Sequence, residues 1–291
     1  MSKLKAKKPE QAKPSKPKII VFGGSGFGKT WASLDFPNAY YIDTEGGANL
    51  PHYIAKLSKS GGQYLGVEDG SKDFPTVIEQ VKLLATTKHD FKTLVIDSVS
   101  ELMLLYIASQ TERMMAGGTD MTKTYGAEKK PAVAYARQLI NWVQRLDMNV
   151  ILICHEKAEW KDEKLVGYTF DFWDKAEYIL HLALRITKQG ASRKAFVRKT
   201  RLEQFKDGTL FDWSYENFAK MYGEDVIKGD VSIITLATPE QVARINQLNT
   251  LLKTTDEEKE KHFKYADSDS YEEMETAKAA FVIQRLEAKI A

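Results

Sequence analysis

The run Gly23-Gly24-Ser25-Gly26-Phe27-Gly28-Lys29-Thr30 constrains this chain more than any other feature. It follows the apolar stretch Ile19-Ile20-Val21-Phe22 and precedes the helix-compatible Trp31-Ala32-Ser33-Leu34. Strand, G-x-x-x-x-G-K-[ST], helix is the order of a phosphate-binding loop. A loop that wraps a phosphate must turn successive backbone N–H groups inward, through conformations that glycine reaches cheaply. Lys29 then offers a point charge to the β- and γ-phosphates, and Thr30 a hydroxyl to Mg²⁺. The start of the following helix adds partial positive charge. A glycine-rich turn between strand and helix is the bland alternative, but the flanks favour the phosphate loop. The sequence therefore predicts a bound nucleoside triphosphate, held by residues 23–30 with Trp31 alongside.

With 291 residues, 43% hydrophobic and 28% charged, the chain has room for one core domain of ordinary globular composition plus appendages. The net charge of +2 is too small to argue for or against nucleic acid. Seven lysines nevertheless fall within the first 18 residues, interleaved with Pro9, Pro14 and Pro17 and no aromatic. Such a segment cannot bury apolar area, so residues 1–17 are expected to form a disordered basic arm. It is either a solubilising tail or a contact to phosphate backbone. Cys154 is the single cysteine, which leaves no intramolecular disulfide or cysteine-rich metal site. No apolar stretch reaches membrane-spanning length and the N-terminus has no apolar leader, so a reducing, cytoplasmic setting is expected.

Along the chain, Asn38–Asp43, Thr93–Asp97 and Asn149–Cys154 read as buried strands, separated by helical patterns near Val77–Leu84, Ser98–Met115 and Ala132–Leu146. Residues 48–75, 116–131 and 157–175 read as irregular, the second of them as a mobile loop. Two later strands, Tyr178–Ile186 and Lys194–Thr200, flank a turn at Gln189-Gly190. Strands alternating with helices predict an α/β fold: a mostly parallel sheet with helices on both faces, extended antiparallel by the later pair. Thr238-Pro239-Glu240-Gln241 is a helix start, and residues 236–291 are expected to form a small helical module after a core of residues 18–235.

Asp97, ending an apolar strand downstream of the phosphate loop, has the place of a Walker B carboxylate, which orders the Mg²⁺ shell opposite Thr30. Ser98 beside it either contributes or simply caps the next helix. Hydrolysis needs a group that orients water, and Glu45 and Glu101 are the candidates. His155 and Glu156 end the strand after Asp97, at the sheet edge where ligands collect, as a phosphate sensor or as structural groups. Lys199 and Arg201 follow a late strand, either as a solvated face or as cations that reach a nucleotide on a neighbouring subunit.

These residues together resemble the RecA-like recombinase core. Asp43-Thr44-Glu45 is similar to the family's catalytic glutamate segment, Asp97-Ser98 to its Walker B, and Lys199-x-Arg201 to the paired cations that cross its subunit interface. The family's γ-phosphate sensor is a glutamine, where this chain has His155 or Glu156. The layout also resembles phage ATP-binding proteins of the single-strand annealing and recombination type, through Asp-Thr-Glu-Gly-Gly at residues 43–47 and the strand-end His155. The resemblance implies an ATPase with ATP and Mg²⁺ as cofactors, Glu45, Lys29 and His155 in the catalytic centre, and Lys199 and Arg201 completing it from the next subunit. It implies single-stranded DNA as partner and a homo-oligomer, filament or ring. Residues 116–131 and 157–175 would be the DNA loops, where lysines and aromatics such as Trp160 and Tyr168 suit stacking on bases. Phe170, Phe172 and Trp173 are alternatively core residues. A rival reading is an assembly or loading factor whose ATP site gates protein contacts, with the helical module docking a single-stranded-DNA-binding or other replication protein. A small-molecule kinase fits less well, because no arginine-rich lid is evident.

Overall fold

The computed structural model describes residues 15–47 and 49–290. Most of the expected basic arm lies outside those residues; of its end, Lys16 donates to the Gly229 carbonyl (2.6 Å) and Pro17 accepts from the Val150 amide (2.8 Å). The core elements run β1 (Lys18–Gly23), α1 (Lys29–Ser33), β2 (Ala39–Asp43), α2 (Pro51–Lys59), β3 (Gln63–Leu65), α3 (Phe74–Thr86), β4 (Thr93–Asp97), α4 (Val99–Ala116), α5 (Lys130–Arg145) and β5 (Asn149–Cys154). They continue through β6 (Glu156–Lys161), β7 (Lys164–Phe170), α6 (Ala176–Ile179), β8 (Leu182–Gln189), β9 (Ser192–Thr200), β10 (Leu210–Asp212), α7 (Tyr215–Tyr222) and α8 (Glu224–Lys228).

Eight strands form one sheet in the order β10-β9-β8-β1-β5-β4-β2-β3. The six from β8 to β3 are parallel, and β9 and β10 extend the sheet antiparallel, as the sequence predicts. The central strands are continuous apolar runs because both faces are covered. Alternate residues serve opposite layers. Ile20, Phe22, Ile96, Leu152 and Cys154 join α3, α4 and α5 on one face, while Ile19, Val21, Val95, Ile151 and Ile153 join α1 and α7 on the other.

Three segments differ from expectation. Residues 48–75 are not simply irregular, since they hold α2 and β3. Residues 157–175 contain the hairpin β6–β7, turned by Asp162 and Glu163 at φ 49° and 61°. A two-residue turn with both φ values positive normally carries Asn or Gly, so Asp-Glu hid the hairpin. The strand expected from Tyr178 starts instead at Leu182, after the helical turn α6, which leaves Tyr178 exposed. Phe170 and Phe172 are buried core residues, whereas Trp160 stands 64% exposed. Residues 116–131 include two 3-10 turns, Met121–Lys123 and Ala127–Lys129.

After residue 238 come α9 (Pro239–Leu251), α10 (Asp256–Ala266) and α11 (Thr276–Glu287), packed around Ile245, Leu248, Met274 and Val282. Thr238 and Gln241 make a reciprocal cap with Pro239 in the first turn, as the sequence indicates. The helices meet the sheet domain through Leu236, which packs on the sheet-domain core and bridges to Glu275, and through Arg145, whose Nη2 donates to the Glu273 carbonyl (2.8 Å).

Candidate nucleotide site at the phosphate-binding loop

The phosphate loop leaves β1 in a conformation that its glycines make possible. Gly23 has φ 150°, and a Cβ there would lie 2.4 Å from the Ile186 carbonyl oxygen of β8. Gly28 enters α1 at φ 84°. Within this cradle Lys29 Nζ donates to the carbonyls of Gly23 (2.8 Å) and Gly24 (3.0 Å). Burial lowers the Lys29 pKa, and the charges of Asp97 and Glu45 oppose that shift.

Asp97 sits level with Asp43 at the carboxyl ends of β4 and β2. Its Oδ2 accepts from Thr30 Oγ1 (2.5 Å) and from Tyr41 Oη (2.7 Å). Burial pushes the Asp97 carboxyl up to about 6, while those hydrogen bonds and Lys29 pull it down. Asp43 Oδ1 accepts the amides of Glu45 (3.2 Å) and Gly46 (2.9 Å), which shapes the turn that carries Glu45.

Glu45 lies at the mouth of the same cleft. Its Oε1 accepts from Ser98 Oγ (2.7 Å) and meets His155 Nε2 at 2.7 Å, and Ser98 Oγ is 3.2 Å from the same ring nitrogen. Burial alone would raise the Glu45 pKa; the hydrogen bonds from Ser98 and His155 outweigh it and hold the group below its ordinary value. The His155 amide is fixed by Ser100 Oγ (2.9 Å). Glu156 also lines the cleft, but its carboxylate takes Arg185 Nε at 2.6 Å. Glu101 lies on the first turn of α4, with its amide on Ser98 Oγ, and does not line the cleft. Ser98 thus both caps α4 and reaches Glu45.

The cleft encloses about 540 Å³ between the loop, Tyr41, Asp43, Glu45, Asp97 and His155. That size suits a nucleotide. Thr30 and Asp97 present adjacent oxygen donors of the kind Mg²⁺ prefers, next to the glycine-lined loop. The residues therefore fit Mg²⁺-bound nucleoside triphosphate.

A family model described as "AAA domain" matches residues 15–207. The chain belongs to the AAA domain family. No curated protein matches it. Among solved structures the domain is similar to the "Crystal structure of the RadB recombinase", at 18% identity over 68% of this chain and 86% of that chain, with a TM-score of 0.44. That likeness is loose. The phosphate loop, the parallel sheet and the family match agree on a P-loop ATPase domain.

Two sequence candidates lie away from this AAA domain's own cleft. Lys199 pairs with Ala183 near the start of β8, and the start of β8 pairs with Ile19 of β1, so Lys199 and Arg201 occupy the sheet edge opposite the phosphate loop. Lys199 Nζ donates to the Leu180 carbonyl, and Arg201 donates to the carbonyls of Tyr178 and Ile179, at the end of α6. Burial, together with Arg201, lowers Lys199 to about 8.

Sequence reading missed Arg193, whose side chain lies 3.5 Å from where a Cβ on Gly28 would stand. A second cleft of about 460 Å³ runs around the loop between Trp31, Tyr53, Arg193 and Trp213. Trp31 is held there by Tyr53 (5.9 Å between ring centres) and by Lys56 4.3 Å over its ring. The signal for Arg193 was the turn at Gln189-Gly190, which returns β9 to the edge where β1 ends. Tyr41 was hidden as one more apolar position in a buried strand. Among the described residues, no helix is long and apolar enough to cross a membrane.

Proposed function

We propose that this chain is a RecA-like ATPase that binds single-stranded DNA and acts in recombination or annealing, in the manner of the phage proteins its sequence resembles. The observation that carries this is the contact of Glu45 with Ser98 and His155 at the mouth of the Lys29–Thr30–Asp97 cleft, one residue before the exposed hairpin β6–β7. Lys29, Thr30 and Asp97 would hold the triphosphate and Mg²⁺, and Trp31, Tyr53 and Arg193 offer flat faces for the base. When bound, Mg²⁺-ATP supplies the phosphoanhydride bond to be hydrolysed. Glu45, kept ionised by its partners, orients the attacking water. His155 would report the γ-phosphate to the hairpin β6–β7, where Trp160 and the lysines at 157, 161 and 164 suit a base-stacking, phosphate-neutralising surface.

Lys199 and Arg201 point the same reading toward oligomers. They are too far along the sheet to serve their own cleft, so they would act on a neighbour's nucleotide in a filament or ring. In this reading the sheet domain and the helices after residue 236 are separate working parts.

The test is ATP turnover with and without single-stranded DNA at low salt, together with DNA binding across a salt titration. DNA should raise turnover, and its binding should weaken steeply with salt. Turnover indifferent to DNA, in a protein that hydrolyses ATP, would sink the DNA-dependent reading and leave the loading-factor alternative, which the surface of the C-terminal helices favours.

A further inference from the structure

Helices α10 and α11 lie side by side, and both also contribute to the small core shared with α9. On α11, Ala279, Val282 and Leu286 pack inward with α9. Phe281 and Arg285 look toward Lys261, His262 and Tyr265 on α10, with Val282 and Leu286 lining the space between the two helices. A groove of about 170 Å³ results. Its apolar wall is open to solvent: Tyr265 and Phe281, with ring centres 4.9 Å apart, remain 49% and 39% exposed. Neither ring is among the buried residues of the three-helix core.

The charges around this groove are lopsided. Lys261, Arg285 and Lys289 line it with one carboxylate, Glu258. Glu258 is already engaged, since Oε1 accepts from Lys289 (3.1 Å) and Oε2 from the Thr255 amide that it caps (3.1 Å). Among the described residues Lys261 and Arg285 have no carboxylate within 4 Å; Arg285 lies over the Phe281 ring at 5.8 Å. The groove is smaller than the ~300–1,000 Å³ typical of small-molecule sites. It has room for one large side chain, with cations on its rim for flanking carboxylates.

We propose that the α10–α11 groove binds an acidic peptide segment of a partner protein, with an aromatic or large aliphatic side chain seated against Tyr265 and Phe281. Complementary charge selects the segment and the buried side chain anchors it, as in other groove-bound peptides. A nucleic acid strand is the poorer occupant. Its phosphates would meet Glu258, and the cations ring a pocket instead of tracking a backbone. The inference is independent of whether the core hydrolyses ATP.

The experiment uses the full chain and fluorescein-labelled hexapeptides in an anisotropy titration at low salt. The probes are Asp-Asp-Asp-Asp-Leu-Phe, the same peptide with Leu and Phe replaced by Ser, and the same peptide with the aspartates replaced by Ser. The first should bind at least tenfold more tightly than either of the others. Arg285→Glu on α11 and Lys261→Glu on α10 should each weaken it at least tenfold, with helical circular dichroism and melting unchanged. Phe281→Ser should remove the preference for the apolar end. Equal binding of all three peptides, no binding of any, or insensitivity to both charge reversals in folded protein overturns the proposal. Loss of oligonucleotide binding in Arg285→Glu with peptide binding intact also overturns it, and assigns the surface to nucleic acid.

Discussion

Strand β9 carries cations at both ends, and the two ends face different problems. At its start, Arg193 lies against Gly28 and lines the protein's own cleft. Lys199 and Arg201, six and eight residues on, lie roughly 20 Å along the strand at the other edge of the sheet, by the rise of an extended strand. There they rest on the carbonyls that end α6. A strand is stiff, so both sets cannot serve one nucleotide. In the proposed reading the near cation serves binding within a chain, and the far pair would serve a different chain's nucleotide.

The sharpest way to break this comparison is to remove each set in turn. Lys199→Ala or Arg201→Ala should cut turnover on the order of 10³-fold, as loss of a cation supplied in trans does, with nucleotide affinity unchanged. Mixing Lys199→Ala with Glu45→Gln protein should restore part of the lost turnover, because some interfaces then pair an intact cleft with intact cations. No recovery on mixing, in variants that still assemble, would place both defects in one chain. Glu45→Gln alone should reduce turnover by about 10²–10⁴-fold and leave ATP binding intact, since it removes a water-orienting group and not a phosphate contact. Arg193→Ala should do the reverse, weakening nucleotide binding about tenfold, or about 1.4 kcal/mol, in an equilibrium titration.

The pH dependence gives a smaller effect with a definite sign. Burial holds Lys199 near 8 in the folded protein against 10.5 for a free lysine. Its charge is therefore present below about pH 8 and lost above it. Turnover should fall severalfold as pH rises past 8, and Lys199→Arg should keep it, because arginine stays protonated. The same shift makes the folded state bind fewer protons than the unfolded one between about 8 and 10.5, so this group costs stability below that window and the cost fades as pH rises through it. Gly23→Ala probes the crowded end of the sheet, where the added methyl meets the Ile186 carbonyl. It should cost about 1–3 kcal/mol in a denaturant titration.

Much of the cleft was legible because its parts are local. Gly23–Thr30 is one continuous signal, and Asp97 ends an apolar run whose depth is readable from its composition. Glu45 could be ranked against Glu101, because Asp43-Thr44-Glu45 just after the second strand resembles the family's catalytic glutamate segment. The choice between His155 and Glu156 was not readable. Adjacent residues leaving a strand point to opposite sides, and only their partners, Glu45 for one and Arg185 for the other, separate them. The hairpin β6–β7 stayed hidden for a different reason. Both its faces are largely open, so it has no buried stripe to impose a period of two, and its turn lacks the usual residues.

By itself the sequence determined that a phosphate loop follows the first strand, that the sheet is mostly parallel, and that a helical module follows it. Those are matters of local backbone preference and of how long an apolar run is. Only the tertiary structure decided which side chains share the cleft and which are turned away from it. Strand order and register set that, bringing Tyr41, Ser98 and His155 to one point and Arg193 beside Gly28, while carrying Lys199 and Arg201 to the far edge. Partners so distant along the chain leave no periodic trace in it, because the pairing of strands, and not spacing in sequence, brings them together.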